Sequence, residues 1–209
     1  MLNASARFTF GRHIFMHNGT VDQFPAIKKG LVQIIGNDEY NNIAGGTDSE
    51  HLAALYMTYL SNGEGKEGWE RRYGVDEMYK ALLRAMGSAI KLQEQILGSR
   101  AQPNSLNIAV TDGLQLVAVR FRNHPTEQPP SLYYSTKAGV TLNRKYPGHA
   151  NGAEVENLNA SLEGSQHGEH LIVSSEPTTY DEKEWKLIEK NHAVVWSDGS
   201  GVVTLSIDH

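Results

Sequence analysis

Residues 7–19 read RFTFGRHIFMHNG, and the way this stretch ends bears on the whole fold. Alternation over 7–16 predicts a strand with Phe8, Phe10, Ile14 and Met16 on one face. The strand then runs into His17-Asn18-Gly19. Asn-Gly is the commonest hairpin dipeptide, so a plain turn is one reading. The other is chemical: an Asn side-chain N–H and the next backbone N–H can converge on one oxygen where the chain turns sharply. Glycine permits the turn and a close substrate approach. Two such donors make an oxyanion hole, in which one donor is worth about 2.7–4 kcal/mol in a well-studied enzyme. The dipeptide alone leaves both readings open.

Downstream the spacing turns helical. VDQFPAIKKGLVQII (21–35) has helical periodicity, with Pro25 suited only to a first turn. In AGGTDSEHLAALYMTYLS (44–61), Leu52, Leu55, Tyr56, Tyr59 and Leu60 mark an amphipathic helix, and Thr47 with Glu50 forms a capping box. NGEGKEGWERRYG (62–74) reads as a polar loop. A long helix over 76–97 follows, with Tyr79, Leu82, Leu83, Met86 and Ile90 as its buried stripe and Gly98 as its stop.

Beyond residue 104 the pattern becomes β. SLNIAVTDGLQLVAVRF (105–121) and HAVVWSDGSGVVTLSI (192–207) each read as two strands about an Asp-Gly turn. SLYYS (131–135) and HLIVSS (170–175) add strands. Residues 143–168 carry almost no apolar periodicity and are expected to form a long flexible surface loop. Helices in the first half, antiparallel hairpins in the second and no βαβ alternation predict an α+β fold.

Composition narrows the functional classes. A formal net charge of −5 gives no basic stripe, which argues against nucleic acid or an acidic membrane as partner. No apolar run approaches bilayer length, and the opening MLNASARFTFGRH lacks a signal-peptide core, so a cytoplasmic location is expected. The N-x-S/T triplets at Asn3, Asn18 and Asn159 are therefore read as chance. Cysteine is absent, which removes disulfides, thiolate metal sites and a cysteine nucleophile from these 209 residues. The nine histidines show no metal-helix spacing, His167 and His170 included, so no metal and no cofactor is expected. GEGKEG around Lys66 is no complete P-loop, and no G-x-S-x-G elbow is present. Ser174 and Ser175 fit a strand end before Pro177.

GGTDSE offers a second chemical candidate. Asp48 falls in the first turn of a predicted helix, near its apolar face. There it complements the helix dipole. It is equally a fixed anion able to receive a substrate ammonium group.

Taken in order, FGRHIFMHNGTVDQF and IAGGTDSEHLAALYMTYL resemble the class II glutamine amidotransferases, the N-terminal-nucleophile type. The likeness is nearest to the subfamily that includes the amidotransferase subunit of the glutathione-degrading complex. SLNIAVTDGLQLVAVRF, PPSLYYS and LIVSSEP extend it over nearly the whole chain. The resemblance implies a single domain with a four-layer α-β-β-α sandwich and cleavage of a γ-glutamyl amide, in glutamine or glutathione. It implies Asn18 and Gly19 as the oxyanion-hole pair and Asp48 as the carboxylate that grips the α-ammonium group. A peptidase partner subunit is also implied.

The family's nucleophile is an N-terminal cysteine, with its α-amine as base. An upstream arginine holds the substrate α-carboxylate. Neither matches here, and only about a dozen residues precede IFMHNG. The Phe-rich first strand would expose a hydrophobic sheet edge if nothing preceded it. The expectation is therefore a domain lacking its N-terminal segment, inactive as these 209 residues. The alternative expectation is a non-catalytic subunit that keeps the fold to bind a partner or ligand.

Overall fold

The first predicted strand is two. In the computed structural model, which describes residues 6–138, 170–179 and 182–207, β1 (Ala6–Phe10) and β2 (His13–Thr20) form an antiparallel hairpin about Gly11-Arg12. Phe8 pairs with Phe15 and Phe10 with His13. Paired residues share a face. The buried face of β2 is therefore His13, Phe15 and His17, and the expected face of Ile14 and Met16 is corrected. The turn requires its glycine. Gly11 has φ +54, and a Cβ there would lie 2.7 Å from the Trp69 carbonyl oxygen.

The plain-turn reading of Asn18-Gly19 fails as well. β2 continues through it to Thr20, paired with β3 (Ser105–Thr111) as Asn18↔Asn107, Gly19↔Leu106 and Thr20↔Ser105. β3 returns as β4 (Gln115–Arg122) through a loop at which Thr111 pairs with Leu116. The Asp112 carboxylate accepts the Leu114 and Gln115 N–H groups at 3.0 and 2.9 Å, so the Asp-Gly signal marks an Asx-closed loop.

The chain divides into two compact units, Met1–Pro130 with Lys190–His209, and Ser131–Glu189. In the second unit β5 (Tyr133–Ser135) lies between β6 (Ile172–Ser174) and β7 (Lys186–Leu187), all antiparallel. Trp185 Nε1 donates to Thr179 Oγ1 at 2.9 Å within it. Residues 143–168, with Asn3, Asn159 and His167, lie outside the described residues.

β8 (His192–Ser197) and β9 (Gly201–Ser206) belong to the first unit and complete its sheet, ordered β1-β2-β3-β4-β8-β9 and antiparallel throughout. Among the described residues of this unit the α-helices are α1 (Phe24–Val32), α2 (Asn37–Asn41), α3 (Asp48–Leu60), α4 (Lys66–Trp69) and α5 (Val75–Leu97). The two short ones occupy stretches whose apolar pattern is too brief to read. The core joins Phe15, Ile108, Val119 and Phe121 of the sheet to Ile27, Leu55, Tyr56, Met78 and Leu82 of the helices.

Two expected stripes hold in part: Leu52, Leu55, Tyr56 and Leu60 of one and Leu82 and Met86 of the other are buried as expected. α3 is enclosed on nearly every side, with Leu52 through Met57 all buried. On α5 the buried line runs through Met78, Ala81, Leu82, Ala85, Met86 and Ala89, while Tyr79, Leu83 and Ile90 flank it half-buried. Alanine at every fourth position lets another helix approach closely. The α+β class holds, and helices on a sheet supply an α-β pair of the layering that the resemblance implies.

Candidate functional site

Four residues before Leu52, the capping box fixes where α3 begins. Thr47 Oγ1 accepts the Glu50 N–H at 3.3 Å, and Glu50 returns by accepting the Thr47 N–H at 3.3 Å and the Gly45 N–H at 2.8 Å. Slight burial acts to raise the Glu50 pKa, but these donors outweigh it and hold the carboxyl below its usual range. Asp48 is thereby set as the first helical residue.

Its carboxylate reaches across to the strand. Asp48 Oδ2 accepts the Val21 N–H at 2.7 Å, and Oδ1 accepts the Ser49 N–H at 2.8 Å. Val21 follows Gly19 by two residues, so this bond ties the start of α3 to the segment leaving Asn18-Gly19. A carboxylate has about four acceptor positions, which leaves capacity on a half-buried group.

Alternation separates the neighbours of the motif. His17 points with Phe15 toward the helices and is 4% exposed. Its Nδ1 lies 2.8 Å from Ser49 Oγ. Burial holds its pKa below the ordinary 6.5, against smaller opposing effects of the Asp48 charge and the Ser105 backbone. Asn18 lies on the other face of the strand. The register sets it in a polar row with Asn107, Arg120 and His192 across four strands. Asn107 Nδ2 and Arg120 Nε donate to the Pro130 carbonyl at 3.1 and 2.8 Å, and Arg120 Nη2 donates to the Pro129 carbonyl at 2.8 Å.

Gly19 is held by packing. A Cβ there would lie 1.9 Å from the Ser105 carbonyl oxygen and 3.0 Å from His17 Nε2. Beyond it, Asp22 N–H donates to Asn104 Oδ1 at 2.8 Å, and Gln93 Nε2 donates to the same oxygen at 3.0 Å and to the Asp22 carbonyl. One buried side chain of α5 thus anchors the exit from the motif.

The other sequence candidates do not join this site. Lys66 opens α4, and its N–H donates to Asp38 Oδ2 at 3.2 Å. Ser174 ends β6 in the second unit. Among the described residues no three His, Asp or Glu groups assemble as a metal site, and no helix is long and apolar enough to cross a membrane.

No family model matches the sequence. The chain is 30% identical over 187 residues to the probable glutamine amidotransferase DUG3 of Saccharomyces cerevisiae, an alignment covering 88% of this chain and 49% of the yeast protein. It thus spans about half the length of the curated relative it matches. Among solved structures, the glutamine aminotransferase class-II domain protein of Silicibacter pomeroyi superposes with a TM-score of 0.64 at 24% identity, over 99% of this chain and 72% of that one. The yeast relative and this structural match support the resemblance to the glutamine amidotransferases. A predicted glutamine amidotransferase of Pseudomonas aeruginosa shares the fold at a TM-score of 0.50 and 16% identity, over 97% of this chain and 64% of its own.

Around the two motifs, sequence reasoning missed His17, Ser49, Gln93 and Asn104. Two of them left a signal. His17 is a polar residue at a buried strand parity, two beyond Phe15, and Gln93 continues the four-residue spacing of Ala81, Ala85 and Ala89. Ser49 and Asn104 left none, since a serine in a first helical turn and an asparagine before a strand are ordinary there.

Proposed function

We propose that this chain holds a γ-glutamyl amide, with Asn18 and Gly19 at the reacting carbonyl and Asp48 at the α-ammonium group. The observation that carries the reading is the Asp48–Val21 hydrogen bond, which links the two motifs in one place. Donors fixed in a strand need no reorganisation as negative charge develops on the carbonyl oxygen. A carboxylate with acceptor capacity to spare pairs with an ammonium at hydrogen-bond range. Glutathione is taken as the substrate on the likeness to DUG3, although glutamine presents the same α-ammonium and γ-amide. Water or an amine would accept the acyl group from a thioester.

That thioester needs a thiolate, and these 209 residues contain no cysteine. The chain tested alone therefore binds without turnover. The same observation favours a second reading, a non-catalytic cytoplasmic subunit that binds a γ-glutamyl ligand beside a peptidase partner.

Calorimetry with L-glutamate and glutathione tests the site. Binding is expected, weakened at least about tenfold by Asp48→Asn, on the scale of one charged hydrogen bond. Unchanged affinity in that variant removes Asp48 from the site. Glutamate released from glutathione by the pure chain would overturn the inactivity.

A further inference from the structure

We infer that His17 and Ser49 are positioning residues for Asp48: the His17 ring takes the one hydroxyl hydrogen of Ser49 and so keeps it off the carboxylate. The inference rests on the reading of Asp48 as the ammonium-binding group.

The Ser49 hydroxyl has one hydrogen and two acceptors in reach, His17 Nδ1 at 2.8 Å and Asp48 Oδ1 at 3.3 Å. The state of the ring decides between them. Nε2 is buried and makes no full hydrogen bond; it and the Ser105 carbonyl oxygen both lie beside Gly19, 3.0 and 1.9 Å from where a Cβ there would stand, and that carbonyl acts to raise the ring's pKa. A carbonyl oxygen only accepts, so the proton of the neutral ring belongs on Nε2. Nδ1 is then a bare acceptor, and the shorter contact takes the Ser49 hydrogen. Asp48 Oδ1 keeps only the Ser49 backbone donor, and its remaining acceptor capacity stays available to an ammonium.

The opposite tautomer reverses this. With the proton on Nδ1, the ring would donate to Ser49 Oγ, and the hydroxyl would turn onto Asp48 Oδ1 and compete with the ligand. From α3 the ring faces Asp48 and Ser49, and from β3 the Ser105 backbone; Asp48 is the charged group among them. The same ring lies against Gly19, so a single imidazole touches both halves of the site.

Two measurements test this. Nitrogen-15 NMR of the His17 ring in the wild-type chain at neutral pH is expected to show the Nε2–H tautomer with Nδ1 as acceptor. A proton on Nδ1 overturns the inference. In parallel, His17→Leu should weaken L-glutamate binding about tenfold, because the hydroxyl turns onto Asp48. Adding Ser49→Ala should restore most of the loss, which a merely structural histidine would not allow. A double variant no better than His17→Leu overturns the inference. If the wild-type chain binds no glutamate, the ammonium-site reading falls, and the ring tautomer still decides the arrangement of His17 and Ser49.

Discussion

At Gly19 the limiting contact is with the neighbouring strand. A methyl group 1.9 Å from the Ser105 carbonyl oxygen overlaps backbone, and backbone of a paired strand does not rotate aside as a side chain does. β2 and β3 would have to part at the Asn18↔Asn107 and Gly19↔Leu106 pairs. Gly19→Ala is therefore expected to destabilise the chain by roughly 3 kcal/mol, the upper range for overpacking. Urea unfolding followed by tryptophan fluorescence measures it. A change under about 1 kcal/mol would mean that the strands separate there at little cost. The same clash links fold to function, because any relief of it displaces Asn18.

At the scale of elements, α5 reaches the site through Gln93. This side chain is 1% exposed and donates to both the Asp22 carbonyl and Asn104 Oδ1. Gln93→Leu keeps approximate volume and removes both donors, leaving acceptors buried. The expected cost is about 1–3 kcal/mol, together with weaker glutamate binding as the segment after Gly19 loosens. A thermal melt and the calorimetric titration check the two effects separately. The α5 stripe also shows what the sequence exposed. Its 3.6-residue period was plain and Leu82 and Met86 are buried as read, yet Tyr79, Leu83 and Ile90 only flank the line that Met78, Ala81, Ala85 and Ala89 complete. Close helix approach rewards small residues, and a hydrophobicity count undervalues them. α3 misled in the reverse way, because a helix buried nearly all round has no stripe to find. The β1–β2 hairpin was hidden since Gly-Arg is not among the common turn dipeptides, and one unseen loop inverted the parity of Ile14 and Met16. Residues 18–19 and 48 drew attention because Asn-Gly and a first helical turn read as punctuation, although β2 runs on through 18–19 to Thr20. Their partners His17 and Ser49 did not, because only the tertiary approach of α3 to β2 pairs them.

For the whole molecule, the buried histidines set a pH dependence. His13, His17 and His51 are 1%, 4% and 1% exposed, and burial is the main cause holding all three pKa values below the ordinary 6.5. At His13 the Arg71 carbonyl and Asp112 act upward and Arg12 downward, without reversing the effect of burial. Unfolding returns all three rings to water, where they take up protons as the pH falls through 6.5. Between that point and the lower folded values, the unfolded chain binds more protons than the folded one. Stability therefore rises with pH across this window and is fully present above it. Acidification removes it, by at most about 1.4 kcal/mol per pH unit for each histidine. Glu50 adds a separate acid window: its lowered folded value contributes stability above 4.5 that is lost below, discounted for its exposure. Melting temperatures in matched buffers should be level from about pH 8 to 7 and decline below about 6.5, with a shallower decline in His13→Gln. A melting temperature that climbs on acidification through this range would show these rings charged in the folded protein. Neutral His17 would then be lost as well, and with it the bare Nδ1 that Ser49 requires.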